Sequence, residues 1–126
     1  MPGTSYDYVV IRIVPRVERS EFINAGVILF ARTERFLDAR VRLDRDRLRT
    51  LFPGVAMEEI EEHLLQIPKI CAGGTAAGPI GELPQPDRWH WLVSPRSTML
   101  QTSEVHSGLC ENPEKELEHL MKTLVD

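Results

Sequence analysis

The sequence predicts an α+β domain of two layers, in which an antiparallel sheet of three to four strands packs one face on about three helices. Two observations lead to this prediction. Residues 1–43 contain three runs rich in β-branched and aromatic residues, joined by short polar links. Residues 44–126 instead contain apolar residues at helical spacing, next to residues that cap helices. Because 126 residues fit one domain, we expect a single unit over residues 1–126.

The three predicted strands cover residues 6–14, 21–31 and 35–43. The first ends at Pro15, and its short polar link to the second has the length of a hairpin connection. In the third strand apolar residues alternate with charged ones, which is the pattern of a half-buried strand. Residues 97–105 also have strand character, so we expect them to add a fourth strand.

The alternation gives the predicted sheet two unlike faces. One face is apolar throughout and is expected to lie on the core: Val9, Ile11, Ile13, Ile23, Ala25, Val27, Leu29, Leu37, Ala39, Val41 and Leu43. The other face mixes rings, aliphatic residues and charges: Tyr6, Tyr8, Val10, Arg12, Phe22, Asn24, Gly26, Ile28, Phe30, Asp38, Arg40 and Arg42. This arginine-bearing face is too apolar to be left in water. We expect the tryptophan segment, residues 87–94, or a homodimer partner to cover it.

Helices are predicted in three places. Asp44 is placed to cap a short helix, and residues 57–67 form an amphipathic helix that Pro68 ends or kinks. Asn112, followed by a proline, is a strong start for a terminal helix. Residues 71–86 contain four glycines and three prolines and are expected to form a loop.

The charges are distributed unevenly along the chain, although the net charge is only −4. Residues 1–50 hold ten arginines and seven acidic residues, whereas residues 51–126 hold five basic and twelve acidic ones. We expect the two halves to pair with each other inside the fold. The negative total makes nucleic acid an unlikely partner. Two cysteines are too few for a disulfide framework, and neither a signal peptide nor a membrane-spanning stretch is present, so we expect a cytoplasmic protein.

Six residues near the predicted hairpin and near the fourth strand form the candidate site: Arg12, Glu21, Asn24, Gly26, Arg96 and Ser97. The structural interpretation is a partly buried ion-pair network that fixes the register of the hairpin. The functional interpretation is an anion site in which Arg12 and Arg96 bind the ligand and Asn24 donates a hydrogen bond. Both interpretations stay open at this point, and we predict no catalytic residue, no metal and no cofactor.

Two other chemistries are weaker. Ser103 and His106 lie close together in the sequence, but the G-x-S-x-G motif of a nucleophile elbow is absent. The aromatic residues on the arginine-bearing face are similar to the stacking platforms of RNA-binding sheets, but the signature strings of those modules are missing.

Three strings together resemble a known bacterial family: YDYVVIRIVPRVERSEFINAGVILF, WHWLVSPRSTMLQTSEVHSGL and NPEKELEHLMKTLV. The family is the domain of unknown function numbered 3037. The matching positions are Tyr8, Arg12, Pro15, Glu21, Asn24, Gly26, Trp91, Arg96, Ser97 and Gly108, whereas residues 51–86 match no motif. The resemblance implies a small bacterial protein without an established activity, and it suggests a HipA-like kinase as a protein partner.

These observations favour a non-enzymatic binding or regulatory module that acts through a protein partner. The alternative is a small anion- or nucleotide-binding enzyme that uses Arg12, Asn24 and Arg96. A third, weaker alternative is nucleic-acid binding. The sequence leaves open whether the protein is an enzyme.

Overall fold

Strand β1 (Thr4–Ile13) is the centre of the sheet, because it pairs with three of the other strands. Strand β2 (Ile23–Ala31) lies on one side of β1, and β3 (Phe36–Val41) pairs with the far edge of β2. On the other side of β1 lie two short strands, β4 (Leu100–Thr102) and β5 (His106–Cys110). All pairings are antiparallel. The structure is a computed structural model and describes residues 3–94 and 98–126.

In the described residues, four α-helices accompany the sheet: α1 (Arg45–Leu51), α2 (Met57–Ala72), α3 (Gln85–Val93) and α4 (Pro113–Leu124). Helices α1, α2 and α3 contribute to the core on one face, and α4 packs on the opposite face. The predicted α+β class and antiparallel sheet are confirmed. The predicted two layers become three, because α4 forms a layer of its own.

Both helix caps predicted from the sequence are present. The Asp44 carboxylate accepts a hydrogen bond from the Arg47 backbone N–H at 3.0 Å, and the Asn112 side chain accepts one from the Lys115 N–H at 3.2 Å. Each cap satisfies one of the amide groups that a helix leaves unpaired in its first turn.

A β-bulge at Ala25 reverses the faces of the sheet on which the following side chains of β2 lie. Ile11 pairs with Gly26, but the next residue, Arg12, pairs with Asn24, so Ala25 is the extra residue of β2. Side chains alternate between the two faces of a strand, and one extra residue therefore reverses the alternation beyond it. The predicted faces are consequently wrong for β2 from Gly26 to Phe30, whereas Leu37 and Ala39 of β3 lie in the larger core as predicted. Among the residues affected, Val27 and Leu29 lie on the α4 side, and Ile28 and Phe30 lie on the side of α2 and α3.

The larger core lies between the sheet and helices α1, α2 and α3. Ile11 and Ile28 on the sheet and Leu64 on α2 are almost completely buried there. Trp89 of α3 belongs to this core and packs against Phe30, with 5.4 Å between the ring centroids. The prediction that the tryptophan segment covers the arginine-bearing face is therefore wrong, because the apolar stripe of α3 gains more burial on the apolar face.

The smaller core lies under α4, on the arginine-bearing face. Leu117, Leu120 and Met121 of α4 are buried against the sheet, in the cluster that includes Val27 and Leu29. The chain thus covers most of this face with its own C-terminal helix. The predicted homodimer stays a prediction, but this face no longer requires it.

The connections differ from prediction in three places. Pro68 does not end α2, which was one of the two predicted alternatives: the helix continues to Ala72, since Ile70 and Cys71 are buried in the larger core and their packing outweighs the lost hydrogen bond. The predicted loop at 71–86 contains two short 3₁₀ turns, tied together by the Gly74 N–H donating to the Gly81 carbonyl at 2.8 Å. The predicted fourth strand is shorter, and β5 follows it as a separate strand. In the described part of the chain, every helix is too short or too polar to span a bilayer.

Ion pairs connect the arginine-rich first half of the chain to the acidic second half, as expected. Arg40 lies 3.7 Å from Glu114 on α4, and Arg42 lies 3.3 Å from the Asp126 carboxylate. A third pair joins Arg45 to α2 through Glu61. These side chains are all at least one third exposed, so the pairs orient the helices more than they stabilise them.

Gly26 offers a direct test of the close packing between β2 and β3. A Cβ atom there would lie 2.5 Å from the Arg40 carbonyl oxygen and 2.9 Å from Ile11 Cδ1. We expect Gly26→Ala to lower the free energy of unfolding by about 1–3 kcal/mol or more, because backbone has to move. The comparison variant is Gly54→Ala, where no atom lies within 4 Å but φ is +84°, and where strain alone costs about 1 kcal/mol. Urea unfolding measures both, and a smaller loss at Gly26 than at Gly54 would contradict this account.

The buried thiol of Cys71 is expected to make the free energy of unfolding depend on pH in alkaline solution. Burial raises the pKa of its thiol from the ordinary value of 9.0 to about 12. Between these values the folded protein keeps a proton that the unfolded chain has lost, so the free energy of unfolding falls as pH rises. We expect Cys71→Ala to be less stable at neutral pH but to lose less stability per pH unit in this window. Urea unfolding across the window is the measurement, and an equal slope in both proteins would show that Cys71 does not contribute.

Candidate functional site

Arg12 lies on the α4 side of β1, across from Asn24 at the bulge. Its guanidinium carbon is 4.2 Å from the centroid of the Phe22 ring, which is within cation–π distance. Its Nε atom is buried and has no hydrogen-bond partner among the described residues. Arg12 thus packs against the Phe22 ring, and it forms no ion pair with a carboxylate in the described part of the chain.

Asn24 connects the bulge of β2 to the end of α4. Its Nδ2 atom donates a hydrogen bond to the Leu124 carbonyl oxygen at 3.1 Å. Carbonyl groups in the last turn of a helix lack partners within the helix, and a side-chain amide can satisfy one of them. This contact uses one of the two N–H groups of the amide, whereas the Asn24 Oδ1 atom is buried and has no hydrogen-bond partner among the described residues.

Of the other predicted site residues, Glu21 and Gly26 are described, and neither forms a polar contact with Arg12. Glu21 is exposed and pairs with Arg19 in the hairpin connection, so it does not join Arg12. Gly26 leaves no room for a side chain or a ligand, because the backbone of β3 lies against it. Arg96 and Ser97 lie outside the described residues. Of the six predicted residues, the structure brings Arg12 and Asn24 together directly.

A first cleft opens between the two connections that follow β1 and α1. We call it the hairpin cleft; it has a volume of about 920 Å³ and is lined by residues 15–16, 19–22 and 51–56 together with Met99. Phe22, in the connection after β1, and Leu51, the last residue of α1, are 45% and 54% exposed. Two cationic side chains, Arg16 and Arg19, line the same cleft together with one acidic side chain, Glu21, which pairs with Arg19. The hairpin cleft therefore combines exposed apolar groups with positive charge.

A second cavity reaches into the larger core. We call it the sheet cavity; it has a volume of about 630 Å³ and lies between the sheet, α2, α3 and β4. Ile11 and Ile28 form part of its wall on the sheet. Arg12 and Asn24 are absent from the described residues that line either cavity. Neither cavity is therefore the concave anion site that the sequence predicts around Arg12 and Asn24.

The remaining polar clusters have structural partners. The Ser103 hydroxyl accepts a hydrogen bond from the Val10 N–H at 2.9 Å and donates one to the Glu104 carbonyl at 2.9 Å. His106 is exposed, 3.6 Å from the Glu104 carboxylate and stacked on Tyr8. Within residues 3–94 and 98–126, no group of three or more His, Cys, Asp or Glu side chains is placed to hold a metal ion.

Sequence reasoning missed the polar contact that holds the start of α4. The Tyr6 hydroxyl is buried and donates a hydrogen bond to Glu116 at 2.9 Å. Burial and this carboxylate raise the pKa of Tyr6 well above its ordinary value. Gly108 on β5 is necessary beside it, because a Cβ atom there would lie 2.8 Å from the Tyr6 hydroxyl oxygen. A signal was available: the terminal helix has an apolar stripe without a partner, and one face of the sheet needed a cover.

The comparison with protein families matches nearly the whole chain, from residue 8 to residue 125. The chain belongs to the family described as protein of unknown function (DUF3037). The resemblance found in the sequence is thereby confirmed. The DUF3037 match runs from β1 to the end of α4 and includes all six residues of the predicted site. No curated protein and no solved structure gives a significant match.

The role of Asn24 in this DUF3037 protein can be tested by removing its amide. We expect Asn24→Ala to lower the free energy of unfolding by about 1–3 kcal/mol, because the Leu124 carbonyl loses a partly buried donor. Hydrogen exchange should become faster at the C-terminal end of α4. The matched control is Gln85→Ala, which removes an amide that donates to the Arg35 carbonyl in an exposed position and should cost little. Unchanged exchange in α4 would show that Asn24 does not anchor it.

Proposed function

We propose that this protein is a non-enzymatic binding or regulatory module that acts through a protein partner, and that the hairpin cleft receives the partner. The observation that carries this proposal is the exposure of two large apolar side chains, Phe22 and Leu51, that line the same cleft. Large apolar side chains grouped on a surface are typical of interaction sites. Aromatic residues and arginine are also enriched in the central part of protein interfaces.

The charge of the cleft favours an acidic partner segment. Arg16 is exposed and has no ion-pair partner within the described part of the chain. Arg19 is paired with Glu21, but the pair is exposed and a partner carboxylate can compete for the guanidinium. A segment that carries acidic residues beside an apolar anchor would satisfy both the arginines and the exposed Phe22 and Leu51.

A HipA-like kinase is the first partner that we propose to test. Two other occupants are compatible with the chemistry of the cleft. A second copy of this chain would give the predicted homodimer, and a small anion such as a nucleotide would bind between Arg16 and Arg19. These occupants differ in what would co-purify with the protein and in its mass in solution.

The test compares two leucines that are exposed in different places. Leu51 lines the hairpin cleft and is 54% exposed, whereas Leu109 on β5 is 72% exposed and outside the described lining of the cleft. We expect Leu51→Glu to weaken binding of a purified HipA-like kinase by about tenfold or more, because it places an acid where an acidic segment docks. We expect Leu109→Glu to bind like the wild type. Isothermal titration calorimetry measures both, and circular dichroism checks the fold.

A second pair of variants tests the charge. Arg16→Glu reverses a charge in the cleft, and Arg47→Glu reverses an exposed charge on α1. Loss of binding in the first variant alone supports an acidic partner segment. Equal losses in both variants would show a non-specific electrostatic effect and would count against the cleft. A dimeric mass that Leu51→Glu abolishes, or a bound nucleotide without a protein, would replace the proposed partner.

A further inference from the structure

We propose that the sheet cavity is a binding site for a small apolar molecule with a non-acidic polar end. This inference goes beyond the proposed function, because it concerns a different cavity and a different class of ligand. It depends on three features of the cavity: an apolar interior, a polar rim, and a carboxylate in the wall.

The interior of the cavity is built from aliphatic residues on every surrounding element. Ile80 and Leu100 are half-buried and present apolar surface to the cavity, and the buried Ile11 and Ile28 of the sheet lie beneath them. Ile60 and Ile67 of α2 and Leu92 of α3 line the sides. Cavities that bind small organic molecules have volumes of about 300–1,000 Å³ and are lined mainly by such residues. The sheet cavity, at about 630 Å³, lies within this range.

The polar groups of the cavity come mainly from two elements. Glu59, His63 and Gln66 follow one another at helical spacing along α2 and line the cavity. Gln101 lies on β4, and its side-chain amide donates to the Thr98 carbonyl at 2.9 Å, which leaves its oxygen as an acceptor. These groups can hydrogen-bond one polar end of a molecule whose remainder lies against the isoleucines.

The charge of the rim selects against an acidic ligand. Glu59 lines the cavity and belongs to the run Glu58–Glu62 at the start of α2, where four of five residues are acidic. Glu59 is exposed, and a carboxylate ligand would place its negative charge near that of Glu59, where like charges repel. An alcohol of the same length meets no such repulsion and can hydrogen-bond the same groups.

The experiment uses Nile red, an uncharged dye whose emission rises in apolar surroundings, with the complete protein. Two competitors of equal chain length, 1-decanol and decanoate, are titrated at about pH 8, where decanoate is ionised. We expect decanol to displace the dye at a concentration about tenfold lower than decanoate. Equal displacement, or stronger displacement by decanoate, would overturn the assignment of the polar end. Absence of dye binding at about 1 mM protein would overturn the site itself.

A matched pair of variants locates the binding. Ile67 lines the cavity, whereas Leu65, two residues earlier on α2, is 52% exposed and absent from the described lining. We expect Ile67→Trp to fill the cavity and weaken dye binding about tenfold, and Leu65→Trp to leave it unchanged. Equal affinities in the two variants would place the dye elsewhere and overturn the proposal.

A photoreactive diazirine derivative of decanol gives a result that does not depend on how the variants fold. In the wild-type protein, we expect mass spectrometry to find the label on residues 59–70 and 98–102, which line the sheet cavity. Label confined to residues 15–22 and 51–56 would show that the molecule binds in the hairpin cleft, and would contradict the assignment to the sheet cavity. The kinase titration uses variants of the hairpin cleft, whereas the dye experiment uses a variant of the sheet cavity. Failure of one proposal can therefore be distinguished from failure of the other.

Discussion

The bulge at Ala25 decides how the whole chain is arranged around its sheet. One extra residue in β2 puts Ile28 and Phe30 with Ile11 on the side of α2, and puts Val27 and Leu29 on the side of α4. Without it, Ile28 and Phe30 would face α4, and Val27 and Leu29 would face α2 and α3. Gly26 follows directly, and the backbone of β3 lies so close to it that a side chain has no space.

Helix α4 depends on this arrangement and completes it. Its apolar stripe packs on the face that the bulge supplies, while polar contacts hold both of its ends. Tyr6 binds Glu116 near the start, and Asn24 binds the Leu124 carbonyl at the end. A single amphipathic helix of 12 residues is marginal alone, so its stability comes from this docking. Arg40 of the sheet also pairs with Glu114 on this helix, and Arg42 pairs with Asp126 just beyond its end.

The two cavities lie where the covering elements leave the sheet incompletely packed. The hairpin cleft lies beside the connections after β1 and α1, and the sheet cavity lies between the sheet, α2, α3 and β4. Met99 lines both cavities, and its carbonyl accepts a hydrogen bond from the Val14 N–H at 2.6 Å. Met99 thus forms part of the wall of both cavities, and the residue that follows β1 holds its backbone in place. Arg12 and Asn24 have contacts inside the fold, whereas the groups available to other molecules are Phe22, Leu51 and the polar rim on α2.

The sequence by itself determined the elements that depend on neighbours along the chain. Alternating residues gave the first three strands, and the caps Asp44 and Asn112 gave the starts of two helices, because these signals act over a few residues. Only the tertiary structure decided which face each residue of β2 occupies, which helix covers the arginine-bearing face, and where the cavities lie. A bulge leaves no mark in the alternation of a strand that is apolar on both sides, and the position of a cavity depends on how side chains from distant segments fail to fill space. Gly26 marked the irregularity in the sequence, but its close contact with the Arg40 carbonyl exists only once β3 has paired with β2.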